Sequence, residues 1–79
     1  MSKYTRSAEV DNYLLNRLKQ EYERLPKAYY ASEFATPEIN SIAIGNAFYR
    51  LSSTGVISVT KTMYGHTVIW TVTRINTVL

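Results

Sequence analysis

A chain of 79 residues without cysteine makes one domain near the lower size at which packing alone holds a fold, and it excludes disulfides and thiolate metal sites. Its 46% apolar content, with seven tyrosines, two phenylalanines and one tryptophan, supplies the burial area for a core. The net charge of +3 is unevenly spread: residues 1–39 hold six basic residues and all six acids, whereas residues 40–79 hold Arg50, Lys61 and Arg74 and no acid.

Residues 7–25, SAEVDNYLLNRLKQEYERL, set Val10, Leu14, Leu18, Tyr22 and Leu25 at spacings of three and four, the stripe of a helix with one buried face. Ser7 is its expected N-cap, Glu9 and Asp11 sit in the first turn where the helix dipole favours acids, and Pro26 ends it. Tyr13 and Leu15 widen the apolar belt, which serves either a broad core or a dimer contact. KAYY, residues 27–30, suits a brief strand. SEFA, residues 32–35, reads as the start of a second helix, and TPEI follows, with Pro37 tolerated in a first turn. From Asn40 a third helix carries Ile44, Ala47, Phe48 and Leu51 on one face and stops at SSTG, where Gly55 suits the left-handed position after a helix. VISVTKT and TVIWTVT then alternate apolar and polar residues on either side of MYGH. That is the pattern of a hairpin, with Gly65 free to adopt positive φ. RINTVL is left as a tail.

The segment ASEFATPEINSIAIGNAFYRLSSTGVI, residues 31–57, resembles the core of winged helix-turn-helix DNA-binding domains. Ala31-Ser32-Glu33-Phe34-Ala35 matches the opening of the family's second helix. Ile44, Ala47, Phe48 and Leu51 match the buried positions of its third, and Gly55-Val56-Ile57 matches the start of its wing. The resemblance covers residues 27–73, with helix 7–25 in the place of the first helix and strand 28–30 where the family's first strand pairs with the wing. It implies an α+β fold of three helices, a short strand and a C-terminal β-hairpin wing, in a single domain over 1–79. Two features depart from the family: TPEIN replaces the usual small or glycine-bearing turn, and the third helix lacks the customary arginines and lysines. In its cysteine-free composition, rich in Tyr, Ile and Thr, the chain is similar to small archaeal viral or plasmid regulators.

In such domains the third helix lies in the major groove with its N-terminal residues at base edges. The resemblance therefore implies DNA contacts from Asn40, Ser41, Ile42, Ala43, Asn46 and Tyr49, on a face kept small by Ser41, Ala43 and Gly45. Asn pairs bidentately with adenine, Ser accepts several bases, and Ala43 or Ile42 can touch a thymine methyl. An acid-free half beside phosphate is consistent with this, although a β-rich half has few charges of either sign in any case. A partner protein covering the same face is the other explanation, and Ile42 is more apolar than a solvent face favours. Arg50 is expected on phosphate, or paired with Glu33 or Glu38. Lys61, with Tyr64, His66 and the neighbouring threonines, makes a wing tip suited to backbone or minor groove, or else a polar hairpin end that contacts nothing. Trp70, alternating with Val68 and Val72, is expected in the core.

No catalytic constellation is visible: there is one histidine, no Gly-rich phosphate loop and no plausible carboxylate pair. No enzyme, cofactor, metal site or small-molecule substrate is expected. Apolar runs fall short of the roughly 20 residues that span a bilayer, and MSKYTRSAEV lacks a signal peptide's apolar stretch, so a cytoplasmic protein without membrane contact is expected. The sequence reading is a homodimeric, sequence-specific double-stranded DNA-binding regulator. The alternative is a winged-helix protein-interaction module that does not bind DNA.

Overall fold

The computed structural model describes residues 6–76. In chain order these form helix α1 (Ser7–Gln20), a single 3-10 turn (Tyr22–Arg24), strand β1 (Lys27–Tyr30), a second 3-10 turn (Ala31–Phe34), helix α2 (Ser41–Ser53), strand β2 (Ile57–Tyr64) and strand β3 (Thr67–Ile75). The α+β class is as expected, but the count of three helices is not. Two α-helices pack on a three-stranded antiparallel sheet of order β1-β3-β2.

The missing helix is explained by its own residues. After Phe34 the chain is already extended at Ala35, with φ −66° and ψ 150°. Pro37 has no N–H to donate to the Glu33 carbonyl, and it disfavours helical geometry at Thr36. Thr36 instead closes a tight local turn. Its N–H donates to Ile39 O at 2.8 Å, and its hydroxyl accepts from the N–H groups of Glu38 and Ile39. Helix propagation needs one bond per residue added, and here each bond goes elsewhere.

The other boundaries have similar local causes. α1 starts one residue earlier than expected, with Arg6 at the N-cap and Ser7 inside the helix. It ends at Gln20 because the Glu21 N–H turns back to Leu18 O at 2.9 Å and the 3-10 turn follows. Tyr22 consequently leaves the buried stripe and is exposed. α2 stops in a Schellman arrangement: Gly55 N–H donates to Ser52 O, Val56 N–H donates to Leu51 O, and Gly55 takes φ +82°. In the hairpin, Met63 and Tyr64 remain in the strand, and Gly65-His66 alone form the turn. Gly65 has φ +65° and His66 does not share the sign, which is the pattern of a type II′ turn.

β1 pairs with β3, Tyr29 opposite Trp70, as expected of the short strand. The residues read as a tail extend β3 to Ile75, and an irregularity opposite Ser58/Val59 lets them do so. Val59 pairs with Val72, whereas Ser58 pairs with Arg74, so Thr73 is an inserted residue whose hydroxyl donates to Ser58 O at 3.0 Å. Strict alternation from Trp70 and Val72 would turn Arg74 into the core. The bulge restores the phase, leaving Arg74 exposed and Ile75 buried opposite Ile57.

The core joins both helices to one face of the sheet: Val10, Leu14 and Leu18 from α1, Ile44, Ala47, Phe48 and Leu51 from α2, and Tyr29, Ile57, Trp70, Val72 and Ile75 from the strands. An aromatic row fixes α2 in place. Phe48 stacks on Trp70 with centroids 5.1 Å apart and planes within 10°, and Phe34 lies between Phe48 and Tyr29 at 5.9 and 5.1 Å. Stacked and edge contacts of this kind add to simple burial, so the 3-10 segment still wedges the helix against the sheet through Phe34. The α1 belt is used internally. Tyr13 and Leu15 pack on the core, and the Tyr13 hydroxyl donates to Phe34 O at 2.6 Å.

Candidate nucleic-acid interface

α2 turns Ile44, Ala47, Phe48 and Leu51 inward, and the opposite side of the helix carries the candidate residues. Asn40 is the N-cap: its Oδ1 accepts from Ala43 N–H at 2.8 Å and its backbone O accepts from Ile44 N–H. One of the two acceptor sites of this oxygen is therefore taken by the helix, and the amide N–H groups donate to nothing among the described residues. Ala43, expected on the outward face, is half-buried and packs against the core. Ser41, Ile42, Asn46 and Tyr49 are exposed. Ile42 is the extreme case at 72%.

Arg50 has a partner that neither sequence expectation named. Its Nη2 donates to Asp11 Oδ1 at 2.9 Å, and its Nε lies 3.1 Å from both carboxylate oxygens. These hydrogen bonds push the guanidinium further above its ordinary pKa. Glu33, one of the two expected partners, accepts instead from Tyr30 N–H at 2.8 Å, and Glu38 is exposed beside the start of α2. The α1–α2 contact thus carries a two-point ion pair across 39 positions of sequence. No local spacing could have revealed it.

The hairpin rises beside α2. Lys61 pairs with Trp70 in the register, and its ammonium sits 5.5 Å from the indole ring. It therefore lies on the helix-facing side of the sheet, exposed, with no carboxylate in ion-pair range among the described residues. Tyr64 and His66 are exposed at the hairpin end. Between the start of α2 and this end lies an open cleft of about 420 Å³, lined among others by Tyr30, Ser41, Ile42, Gly45, His66 and Trp70. The cleft brings Ser41 and Ile42 together with His66; Asn46, Tyr49, Arg50, Lys61 and Tyr64 do not line it. The sequence marks Tyr30 only as part of a strand. Its place as an aromatic residue at the end of β1, just before the turn, was the available signal.

Among the described residues no group of three or more His, Cys, Asp or Glu could hold a metal ion, and no helix is long and apolar enough to cross a membrane. The site can therefore offer amide, hydroxyl and apolar groups from α2, with one ammonium, one imidazole and phenol groups from the hairpin and β1. Comparison with protein-family models, curated proteins and solved structures finds no match to this chain.

Proposed function

We propose that this chain is a sequence-specific double-stranded DNA-binding protein, a homodimeric transcriptional regulator of the cytoplasm, as its winged-helix resemblance implies. α2 lies in the major groove and the β2–β3 hairpin rests on the neighbouring backbone or minor groove. The observation that carries this reading is the outward surface of α2. Ser41, Ile42, Asn46 and Tyr49 bear no charge, the helix's one cation is turned to Asp11, and Lys61 on the hairpin beside it has no carboxylate partner among the described residues. Small and amide side chains suit base edges, and an ammonium suits phosphate as a point charge. A 3-10 turn stands where the resemblance implies a second helix, and α2 is positioned instead by α1 and by the Phe48–Trp70 stack.

Binding of a random-sequence duplex at low ionic strength tests it. With few free cations, the log–log salt dependence is expected to be shallow, roughly −2 to −5 per dimer. Absence of binding to any duplex overturns the reading. One observation favours a second reading: Ile42, Tyr49, Met63 and Tyr64 are all large, apolar or aromatic, and exposed. Exposed aromatic and methionine side chains are also enriched at protein interfaces. Under that reading Ile42→Ala and Tyr49→Ala weaken a protein complex and no duplex binds.

A further inference from the structure

The outward face of α2 favours one kind of base pair. Ile42 is the second residue of the helix and stands 72% exposed, where contact with water gives a branched aliphatic side chain no stabilisation. Gly45 lies on the same side in the helix interior, where glycine is less favourable than alanine. A Cβ at Gly45 would meet only Trp70 Cζ2, at 3.9 Å, an ordinary contact. The fold therefore tolerates a methyl at this position, where it would lie against the chain's own Trp70. Asn46, exposed, follows on this face. Arg and Lys, the commonest readers of guanine, are absent from it, since Arg50 is held by Asp11.

We propose that α2 reads A·T base pairs: Ile42 packs on the 5-methyl group of a thymine and Asn46 pairs with adenine N6 and N7. This rests on the DNA-binding reading above. Each group matches what an A·T pair displays in the major groove, where thymine offers a methyl and adenine a donor–acceptor pair suited to an amide. A nucleic acid is the indicated occupant because α2 and the hairpin carry no acid and Lys61 has no carboxylate partner among the described residues, with Glu38 the one exposed acid beside the start of the helix.

The test takes duplexes selected by the full chain from a random pool and replaces thymine by uracil one position at a time, which removes the methyl and leaves the pairing intact. Binding is read by fluorescence anisotropy for the unaltered chain and for Ile42→Ala, whose folding is checked by circular dichroism. Loss of about four-fold in affinity is expected at one thymine per half-site, the effect of one buried methyl-sized group. Ile42→Ala is expected to bind the thymine and uracil duplexes equally. Selected sites rich in G·C, or the same uracil sensitivity in both proteins, overturn the A·T proposal and leave DNA binding standing. If no duplex binds at all, the DNA reading itself falls, so the two failures are distinguishable.

Discussion

The Arg50–Asp11 pair joins α2 to the first turns of α1 through a two-point contact between groups that are 37% and 23% exposed in their side chains. Partial exposure screens the attraction, so the pair stabilises the fold by about 1 kcal/mol rather than by the several kcal/mol of a buried pair. Asp11→Asn is expected to lower the urea-unfolding free energy by about that amount. It also releases a guanidinium near the proposed interface, so the salt slope of duplex binding should steepen by about one unit per subunit. Lost stability with an unchanged slope would mean that Arg50 lies away from phosphate. Tyr29 is the other side chain whose environment is measurable. Burial first, then the Glu21 carboxylate 3.3 Å from its hydroxyl, pushes its pKa from 10 up to about 12. The folded chain holds this proton more tightly than the unfolded chain, so the phenol's contribution to stability is complete below pH 10 and is lost as pH rises through about 12. Urea midpoints across that window are expected to fall further for the unaltered chain than for Tyr29→Phe.

At the scale of elements, α2 and the hairpin divide the proposed work. Asn46 is exposed on the helix opposite Phe48 and Leu51, whereas Lys61 presents a point charge from the hairpin. Removing base readout and removing backbone anchoring have different consequences. Asn46→Ala should cost about 1–3 kcal/mol on the preferred site and little on random duplex, flattening discrimination. Lys61→Ala should weaken both by a similar factor and reduce the salt slope by about one unit per subunit. Intact discrimination after Asn46→Ala would show that another part of the helix faces the bases. Gly45 links element stability to the packing of α2 beside Trp70. Gly45→Ala should stabilise the chain by about 0.5–1 kcal/mol in chemical unfolding, since the helix gains propensity and the new methyl fits against Trp70. Destabilisation would mean that Trp70 cannot give way and that the glycine serves packing.

For the whole molecule, part of the apolar belt of α1 serves the chain's own core. Tyr13 and Leu15 pack on the chain's own core, Ile75 is buried, and Val78 and Leu79 lie outside the described residues. Tyr22, at 63% exposed, is what α1 and its following turn leave outside. The proposed homodimer is argued from DNA geometry: two copies of α2 about one helical turn apart would read a palindromic site, half-sites separated by roughly 10 base pairs. Light scattering of the complex with a selected duplex is expected to give two chains per site. One chain per site, with a monomer at high concentration, would remove the dimer and leave the major-groove reading intact.

Much of this fold is written locally. The stripe Ile44, Ala47, Phe48, Leu51, the stop at Gly55, the turn glycine at position 65 and the alternation around Trp70 each depend on residues within a few positions of one another, where backbone period and hydrogen bonding constrain the answer. The outward position of Ser41, Ile42, Asn46 and Tyr49 follows from the same period. What the tertiary structure decided involves partners remote in sequence or competition between neighbouring bonds. Arg50 finds Asp11 only once α1 and α2 have docked. Residues 31–39 carry an apparent helix opening, yet Pro37 and the Thr36 turn limit it to one 3-10 segment, which Phe34 then anchors beneath the aromatic row. The bulge at Thr73 breaks the alternation on which the strand was read, because burying Ile75 opposite Ile57 keeps Arg74 in water. A period predicts which side a residue faces. Which group waits on that side depends on how the elements pack.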